Sequence, residues 1–219
     1  VKSCTNCGVL NCAKRDGKYP EFCLTSNFEE KELEEIKKLY LDDEENNKIS
    51  VISAEIEGEF YCRYTRVEEI IEFAKRMGFK KIGIATCFGL IEESRIFAQI
   101  LKKNGLEPYA VLCKVGALNK TDIGVKEEFT KQTGNALCNP IMQAKLLEKA
   151  GTELNVVIGL CVGHDSLFYK YSNTLTTTLI TKDRVLVHNP VGALYQTKAY
   201  YKKLLGGSMF EENRKIIKE

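Results

Sequence analysis

The sequence predicts an α/β protein, in which a doubly wound, mostly parallel sheet follows an N-terminal four-cysteine metal knuckle and a helical segment. From residue 79 onward, short apolar runs alternate with helical patterns, which is typical of βαβ units. The stretch 154–162 contains three consecutive β-branched residues, as expected for a strand buried on both faces. The first 25 residues hold four cysteines and too few apolar side chains for a core. We therefore expect three parts, at 1–25, 26–78 and 79–219.

Composition excludes several classes of protein. Of the 219 residues, 44% are hydrophobic and 28% are charged, which is ordinary for a globular protein. The formal net charge of +2 gives no basic excess for binding nucleic acid. No apolar run approaches the roughly 20 residues that cross a bilayer, and the opening VKSCTNCG lacks the apolar centre of a signal peptide. We expect a cytoplasmic protein that binds neither nucleic acid nor a membrane.

Nine cysteines are many for a chain of this length. Their odd number and the expected reducing compartment argue against a disulfide framework. Clustered cysteines in such a setting bind metal or carry out thiol chemistry. The alternative for the cysteines in mid-chain is that they are small buried hydrophobic residues.

The N-terminal cysteines have the spacing C-x2-C-x4-C-x10-C, formed by Cys4, Cys7, Cys12 and Cys23. A bound metal ion would supply the folding free energy that this segment cannot obtain from a core. Four thiolates suit either Zn²⁺ or an iron–sulfur cluster, and the spacing does not separate the two. The sequence thus predicts a zinc or iron–sulfur site in residues 1–25.

The region between the knuckle and the sheet is predicted to be helical. A capping box at Ser26 and Glu29 indicates a first helix, and a second is expected over 48–60. A third helix should begin after Thr65 as N-cap and end at Gly78.

The α/β part is expected to contain three apolar strands and two shorter strand-like segments, at 81–87, 107–116, 154–162, 176–181 and 184–188. The intervening helices are predicted over 91–104, 138–149 and 165–171, with an irregular helix at 125–133, another from 190 towards 205 and a charged helical tail at 211–219.

Cysteine and histidine residues recur where these strands end. Cys87 ends the first apolar strand, Cys113 lies near the end of the second, and Cys161 ends the third. His188 ends the last strand-like segment. Ligands bind at the carboxyl edge of such sheets, and a helix N-terminus favours a thiolate over a thiol. Cys138 begins a Cys-Asn-Pro sequence that resembles His-Asn-Pro at 188–190, and both sequences indicate the start of a helix. The edge of the sheet on which Cys138 lies depends on the loop before it.

A second cofactor site is therefore predicted from Cys87, Cys113, Cys138 and Cys161, with His164 and His188 beside it. Ligands from separate strands suit an iron–sulfur cluster better than a structural zinc, whose ligands come in close pairs. Asp165 is either a helix cap or a carboxylate that orients His164.

Three motifs together resemble those of a known family: C-x2-C-G-x3-C with YPEFC, the segment TRVEEIIEFAKRMGFKKIGIATCFGL, and CVGHDSLF followed by TKDRV and HNPVGALY. On these residues the chain is similar to the DUF1847 family of bacterial and archaeal proteins. The resemblance implies a cysteine-rich, metal-binding protein and brings no reaction with it.

Three functions remain open from the sequence. The first is a metalloprotein with both sites, acting as a redox or cluster-dependent enzyme on a small molecule or with a redox partner. The second is a thiol enzyme without a second metal, in which Cys87 or Cys161 is the nucleophile and His164 or His188 activates it. The third is a non-enzymatic module that senses a small ligand. Oligomeric state and substrate do not follow from the sequence.

Overall fold

A computed structural model describes residues 1–206 of the 219-residue chain. The chain divides into two compact units, Val1–Tyr61 and Cys62–Glu219. The charged tail predicted as a helix at 211–219 lies outside the described residues. Within the described part, none of the helices combines the length and hydrophobicity that a membrane crossing requires.

The first unit is helical. It contains α1 (Asn11–Lys14), α2 (Glu30–Leu41) and α3 (Glu44–Phe60), with short 3-10 turns at Cys4–Asn6 and Leu24–Ser26. The fully buried apolar residues of this unit, Ile52 and Ile56, both lie on α3.

Both predicted starts in this region are wrong by a few residues. The α2 N-cap is Glu29, whose N–H donates to Glu32 Oε2 at 3.2 Å. The predicted cap Ser26 ends the preceding 3-10 turn instead, where its Oγ donates to Cys23 O at 3.2 Å. Helix α3 begins at Glu44 because Asp43 Oδ1 accepts a hydrogen bond from the N–H of Asn46 at 2.9 Å.

The second unit opens with α4 (Arg66–Met77), and here the predicted boundaries are confirmed. Thr65 caps the first turn through a capping box with Glu68, and Gly78 ends the helix at φ +85°. One face of α4 is buried, through Ile70, Ile71, Ala74 and Met77.

A four-stranded, all-parallel sheet forms the centre of this unit. Its strands are β1 (Lys81–Thr86), β2 (Glu107–Leu112), β3 (Leu154–Ile158) and β4 (Thr176–Ile180), in the order β2-β1-β3-β4. The connecting helices are α5 (Ile91–Lys103), α6 (Pro140–Lys149) and α7 (His164–Tyr171), and α8 (Val191–Tyr195) follows β4. The predicted α/β class with a parallel sheet is confirmed.

Apolar residues cover both faces of the sheet. On one face, Ile82, Ile84 and Val156 belong to a cluster with buried residues of α4 and α5. On the other face, Ala85, Val111 and Val157 belong to a cluster with residues of α6 and α7. The chain leaves β1 towards β2 and then returns to β3 on the other side of β1. The carboxyl ends of β1 and β3 therefore form the topological switch point at which ligands bind in open α/β sheets.

Residues 184–188 form a loop, so the predicted strand there is wrong. Asp183 Oδ1 accepts hydrogen bonds from the N–H groups of Val185 and Leu186 at 2.9 and 2.8 Å, which uses donors that a sheet ladder would need. Val187 and His188 have φ values of 51° and 63°. The helix expected to continue towards 205 ends at Tyr195, with a 3-10 turn at Lys202–Leu205. The irregular helix expected at 125–133 is replaced by 3-10 turns at Thr121–Ile123 and Glu127–Phe129.

Gly159 allows the turn that follows β3. It has φ +66°, and a Cβ built on it would lie 2.0 Å from Leu90 Cδ1. Leu90 is only 2% exposed, so its side chain has little room to move. The absence of a side chain at 159 therefore lets the segment after β1 pack on the end of β3.

Candidate functional site

The strand ladder itself fixes the positions of Cys87 and Cys113. Each follows the last residue of its strand directly. The N–H of Cys87 donates to Ile158 O at 3.0 Å, and the N–H of Cys113 donates to Thr86 O at 2.8 Å. These bonds extend the β1–β3 and β1–β2 pairings by one residue. Both sulfurs are thereby held at the carboxyl edge, and both residues are buried.

Cys138 lies at the same edge. The N–H of Asn139 donates to Cys113 O at 2.7 Å, so the long loop after β2 returns to the end of that strand. Asn139 Oδ1 then accepts from the N–H of Met142 at 3.0 Å, with Pro140 in the first turn of α6. The Cys-Asn-Pro sequence therefore starts a helix, and the loop places its cysteine with the other two.

Cys87, Cys113 and Cys138 form a sulfur trio with Cys113 in the middle. The Cys113 thiol interacts with the sulfurs of Cys138 and Cys87, and these interactions together with burial raise its own pKa. The same contact with Cys113 is the main cause that lowers the pKa of Cys87 to about 5 and that of Cys138 to about 3. The contacts with Cys113 therefore favour the thiolate forms of Cys87 and Cys138.

Cys161 is held differently. It follows β3 by three residues and is half-buried. Its Sγ accepts a hydrogen bond from Arg184 Nη2 at 2.9 Å. This hydrogen bond and the electrostatic interaction with the Cys161 side chain raise the pKa of Arg184, and interactions with Cys87 and Cys138 add to the effect. The guanidinium thus lies within electrostatic reach of three of the four sulfurs.

Each of the four sulfurs faces a hydrogen-bond donor or a cation. Cys113 Sγ accepts from the N–H of Phe88 at 3.2 Å. Lys182 and the backbone N–H of Gly89 interact with Cys87, and Lys114 and His164 interact with Cys138. Lys114 also donates to Ala136 O at 2.6 Å, which ties the loop after β2 to the site. Such donors stabilise thiolate charge.

The two histidines differ in position. His164 is the first residue of α7, and its side chain contacts Cys138. His188 lies in the loop after β4, where its Nδ1 accepts from the N–H of Asp183 at 3.1 Å. The prediction that His188 ends a strand is therefore wrong, because its ring closes this loop. Asp165 Oδ1 accepts from the N–H groups of Gly163 and Ser166, so Asp165 acts as a local cap of the turn.

The N-terminal cysteines lie in the first unit. Cys4 and Cys12 are exposed, and Cys7 and Cys23 are half-buried. The N–H of Cys7 donates to Cys4 O at 3.1 Å, which forms the tight turn expected of a C-x2-C pair. Across residues 1–206, no group of three or more Cys, His, Asp or Glu side chains is placed so that it could hold a metal ion. The assignments of both cysteine sets to cofactors remain predictions.

Sequence reasoning missed three residues of this edge: Lys182, Arg184 and Gln143. Gln143 is fully buried on α6, and its Nε2 donates to Thr86 O at 3.1 Å and to Val111 O at 2.7 Å. Its signal in the sequence is an amide on the apolar face of a helix. The signal for the two cations is the sequence TKDR directly after a strand.

Comparisons with known proteins place the chain in a family. A family model described as "Protein of unknown function (DUF1847)" matches residues 23–179. The uncharacterized protein MJ0455 of Methanocaldococcus jannaschii is 53% identical over 178 residues, which cover 81% of this chain and 88% of that protein. Among solved structures, Dph2 from Pyrococcus horikoshii with a 4Fe-4S cluster matches 64% of this chain at 20% identity and a TM-score of 0.35. This chain spans 33% of that protein, and the cluster belongs to that protein.

Proposed function

The chain belongs to the DUF1847 family, and we propose that it carries an iron–sulfur cluster at the carboxyl edge of its sheet. The sulfur trio of Cys87, Cys113 and Cys138 supplies the core ligands, and Cys161 is the fourth thiol at this edge. One observation carries the proposal: four cysteines from segments far apart in the sequence converge at the switch point of a parallel sheet.

The chemistry of the donor set fits such a cluster. Cluster ligands are thiolates, and the contacts with Cys113 already favour the thiolate form of Cys87 and Cys138. Because the pKa of Cys113 is raised, binding of a cluster by the trio would have to release the Cys113 proton. Cations and N–H groups beside the sulfurs offset the negative charge that the ligands bring.

Such a cluster supplies one-electron redox chemistry or Lewis acidity when bound. The chain's own residues control its surroundings. Leu147, Leu160 and Phe168 are buried in the cluster of apolar residues that includes Cys87 and Cys113, and they exclude water from that side. Lys182, Arg184 and the N–H of Phe88 are hydrogen-bond donors to the sulfurs, and such donors raise the reduction potential of a cluster.

For the N-terminal unit we propose a structural metal site, either Zn²⁺ or an iron–sulfur cluster, with Cys4, Cys7, Cys12 and Cys23 as ligands. The supporting observation is the turn that brings Cys7 back on Cys4, in a segment where none of residues 1–27 is fully buried. A segment without a core needs another source of folding free energy, which a metal provides.

A thiol enzyme without the second metal is the alternative, and one observation favours it. The low pKa of Cys87, about 5, would make it a ready nucleophile at neutral pH. The side chain is only 8% exposed, however, and a nucleophile must reach its substrate. This burial favours Cys87 as a ligand.

The test is anaerobic purification of the full chain, followed by iron and sulfide analysis and an absorption spectrum. We expect a brown protein with a broad visible absorption band. The substitutions Cys87→Ser, Cys113→Ser and Cys138→Ser should each remove iron and the band from this site. The matched control is Cys62→Ser, because Cys62 is exposed and lies outside both cysteine sets. A colourless protein whose Cys87 is alkylated rapidly would instead support the thiol enzyme.

A further inference from the structure

The four edge cysteines differ in their interaction partners: three form the sulfur trio, and Cys161 stands apart from it. Cys113 contacts both other members of the trio, whereas the hydrogen-bond partner of Cys161 is Arg184. Arg184 also interacts electrostatically with Cys87 and Cys138. Its guanidinium therefore interacts with Cys161 and with two members of the trio. A permanent ligand would be expected to face the other ligands. Cys161 instead accepts a hydrogen bond from Arg184, a side chain of the loop after β4.

The loop that presents Arg184 is held by its own hydrogen bonds. Asp183 Oδ1 accepts two backbone N–H groups, and the ring of His188 accepts a third, from Asp183 itself. Lys182 and Arg184 flank Asp183, and both act on Cys87: Lys182 by hydrogen bonding and Arg184 through its charge. The two cations therefore converge on one side of the cysteine cluster.

These cations have no carboxylate partner within residues 1–206. The carboxylate between them, Asp183, is engaged by backbone N–H groups. Arg184 is exposed, and one of its five N–H donors is used by Cys161. A guanidinium with unused donors is well suited to bidentate binding of a carboxylate or phosphate.

On the basis of the proposed cluster, we propose that Arg184 and Lys182 form a binding subsite for the oxyanion group of a small substrate, a carboxylate or a phosphate. The Cys161 sulfur then accepts the hydrogen bond of Arg184 when the substrate is absent, and the substrate replaces it when it binds. The trio alone suffices to retain the cluster, and the side of the cluster facing Arg184 is left to the substrate. The protein would accordingly act on a small anionic molecule at this side.

The first arm of the test concerns Cys161. We expect Cys161→Ser to keep the iron and sulfide content of the unchanged protein, whereas Cys113→Ser loses both. If Cys161→Ser loses the cluster as completely as Cys113→Ser does, Cys161 is a permanent ligand and the proposal is overturned.

The second arm measures anion binding to the cluster-loaded protein, with inorganic phosphate and citrate as separate probes and sodium chloride at equal ionic strength as control. The readout is the electron paramagnetic resonance spectrum of the reduced protein. We expect a saturable change with one probe, and its identity distinguishes a phosphate site from a carboxylate site. Arg184→Gln should weaken this binding by at least about tenfold, which is the scale of one charge-assisted bidentate contact. Lys182→Gln should weaken it less.

The control for Arg184→Gln is Arg95→Gln, which removes an exposed arginine paired with Glu92 on α5. The anion subsite would be refuted if Arg184→Gln bound the probe as tightly as the unchanged protein. It would also be refuted if neither probe caused a saturable change in the spectrum. If the protein carries no cluster, calorimetry repeats the titration on the metal-free chain. The absence of a cluster would itself refute the proposed function, and Arg184-dependent binding to the metal-free chain would leave the anion subsite standing.

Discussion

The two cysteine sets of this chain have the same number of thiols but different physical origins. Cys4, Cys7, Cys12 and Cys23 lie close together in the sequence, on turns without buried neighbours. Cys87, Cys113, Cys138 and Cys161 are brought together by strand ends and a helix start, and two of them are buried. In the second set the sheet arranges the sulfurs before any cofactor binds. The first set has no such scaffold, so the metal that we propose there would have to supply the folding free energy.

The largest expected effect follows from this difference. If the proposed N-terminal metal is bound, its chelation should unfold residues 1–27, because a structural zinc contributes about 10–16 kcal/mol to the folding of a small domain. The sheet should remain folded. Limited proteolysis with mass spectrometry should show new cleavage within residues 1–27 and unchanged protection of β1 and β3. Equal protection of the N-terminal segment with and without chelator would contradict this comparison.

The edge set should instead be sensitive to packing. We expect Gly159→Ala to destabilise the protein by about 2–4 kcal/mol, since the added Cβ meets the buried Leu90 in addition to straining a positive φ. Gly151→Ala is the matched control, because Gly151 has φ +70° and no atom within 4 Å of an added Cβ. Urea unfolding should show a smaller loss for Gly151→Ala, of about 1 kcal/mol. Equal losses would mean that the contact with Leu90 is unimportant.

Thiol reactivity should also separate the two sets. In the metal-free protein, Cys113→Ala removes the main cause of the low pKa of Cys138, which then rises from about 3 towards its ordinary value of 9.0. The thiolate fraction of Cys138 falls at mildly acidic pH, and its alkylation at about pH 6 should slow by roughly tenfold or more. Alkylation rates of the four N-terminal cysteines should not change. Mass spectrometry of alkylated peptides measures both sets in one sample, and a Cys138 rate that stays constant would refute the coupling.

The smallest effect concerns the opposite end of the sheet. Glu153 Oε2 accepts from the N–H groups of Lys81 and Lys80, and these bonds lower its pKa from the ordinary 4.5. A carboxyl with a lowered pKa in the folded state stabilises the protein above its unfolded pKa, and this contribution is lost as the pH falls through the folded value. Glu153→Gln should therefore cost about 1 kcal/mol or less at neutral pH, because the site is largely solvated.

Under acidic conditions, below the lowered pKa of Glu153, the unchanged protein and Glu153→Gln should have the same stability. Unfolding curves across this pH range provide the measurement. The iron content of the edge site should be the same in both proteins, because Glu153 lies away from the cysteines. A loss of iron in Glu153→Gln would show that the two ends of the sheet are coupled.

The sheet and two of its cysteines could be predicted because their signals are local. The β-branched run in β3 and the short apolar run of β1 determine buried strands, and a cysteine that follows such a strand lies at its carboxyl edge. Helix α4 was predictable to the residue because Thr65 and Gly78 are strong cap signals. Cys138 was harder to place, since its edge depends on a long irregular loop.

The segment after β4 could not be predicted in the same way. Its apolar residues Val185 and Val187 alternate with others as in a strand, but the carboxylate of Asp183 competes for the backbone N–H groups and bends the chain. Arg184 then reaches Cys161, more than twenty residues earlier in the sequence. No pattern in a single sequence shows such a contact, because it is created by the tertiary fold. The cationic side of the site was missed for this reason.

Gln143 gives the site a mechanical property. Its amide bridges the carbonyls of Thr86 and Val111, next to the residues that carry two of the sulfurs, and it belongs to the helix that begins just after the third. A shift of α6 along its axis therefore pulls on both strand ends together. Through this one buried side chain, α6, which begins two residues after Cys138, is tied to the carboxyl ends of β1 and β2, which precede Cys87 and Cys113.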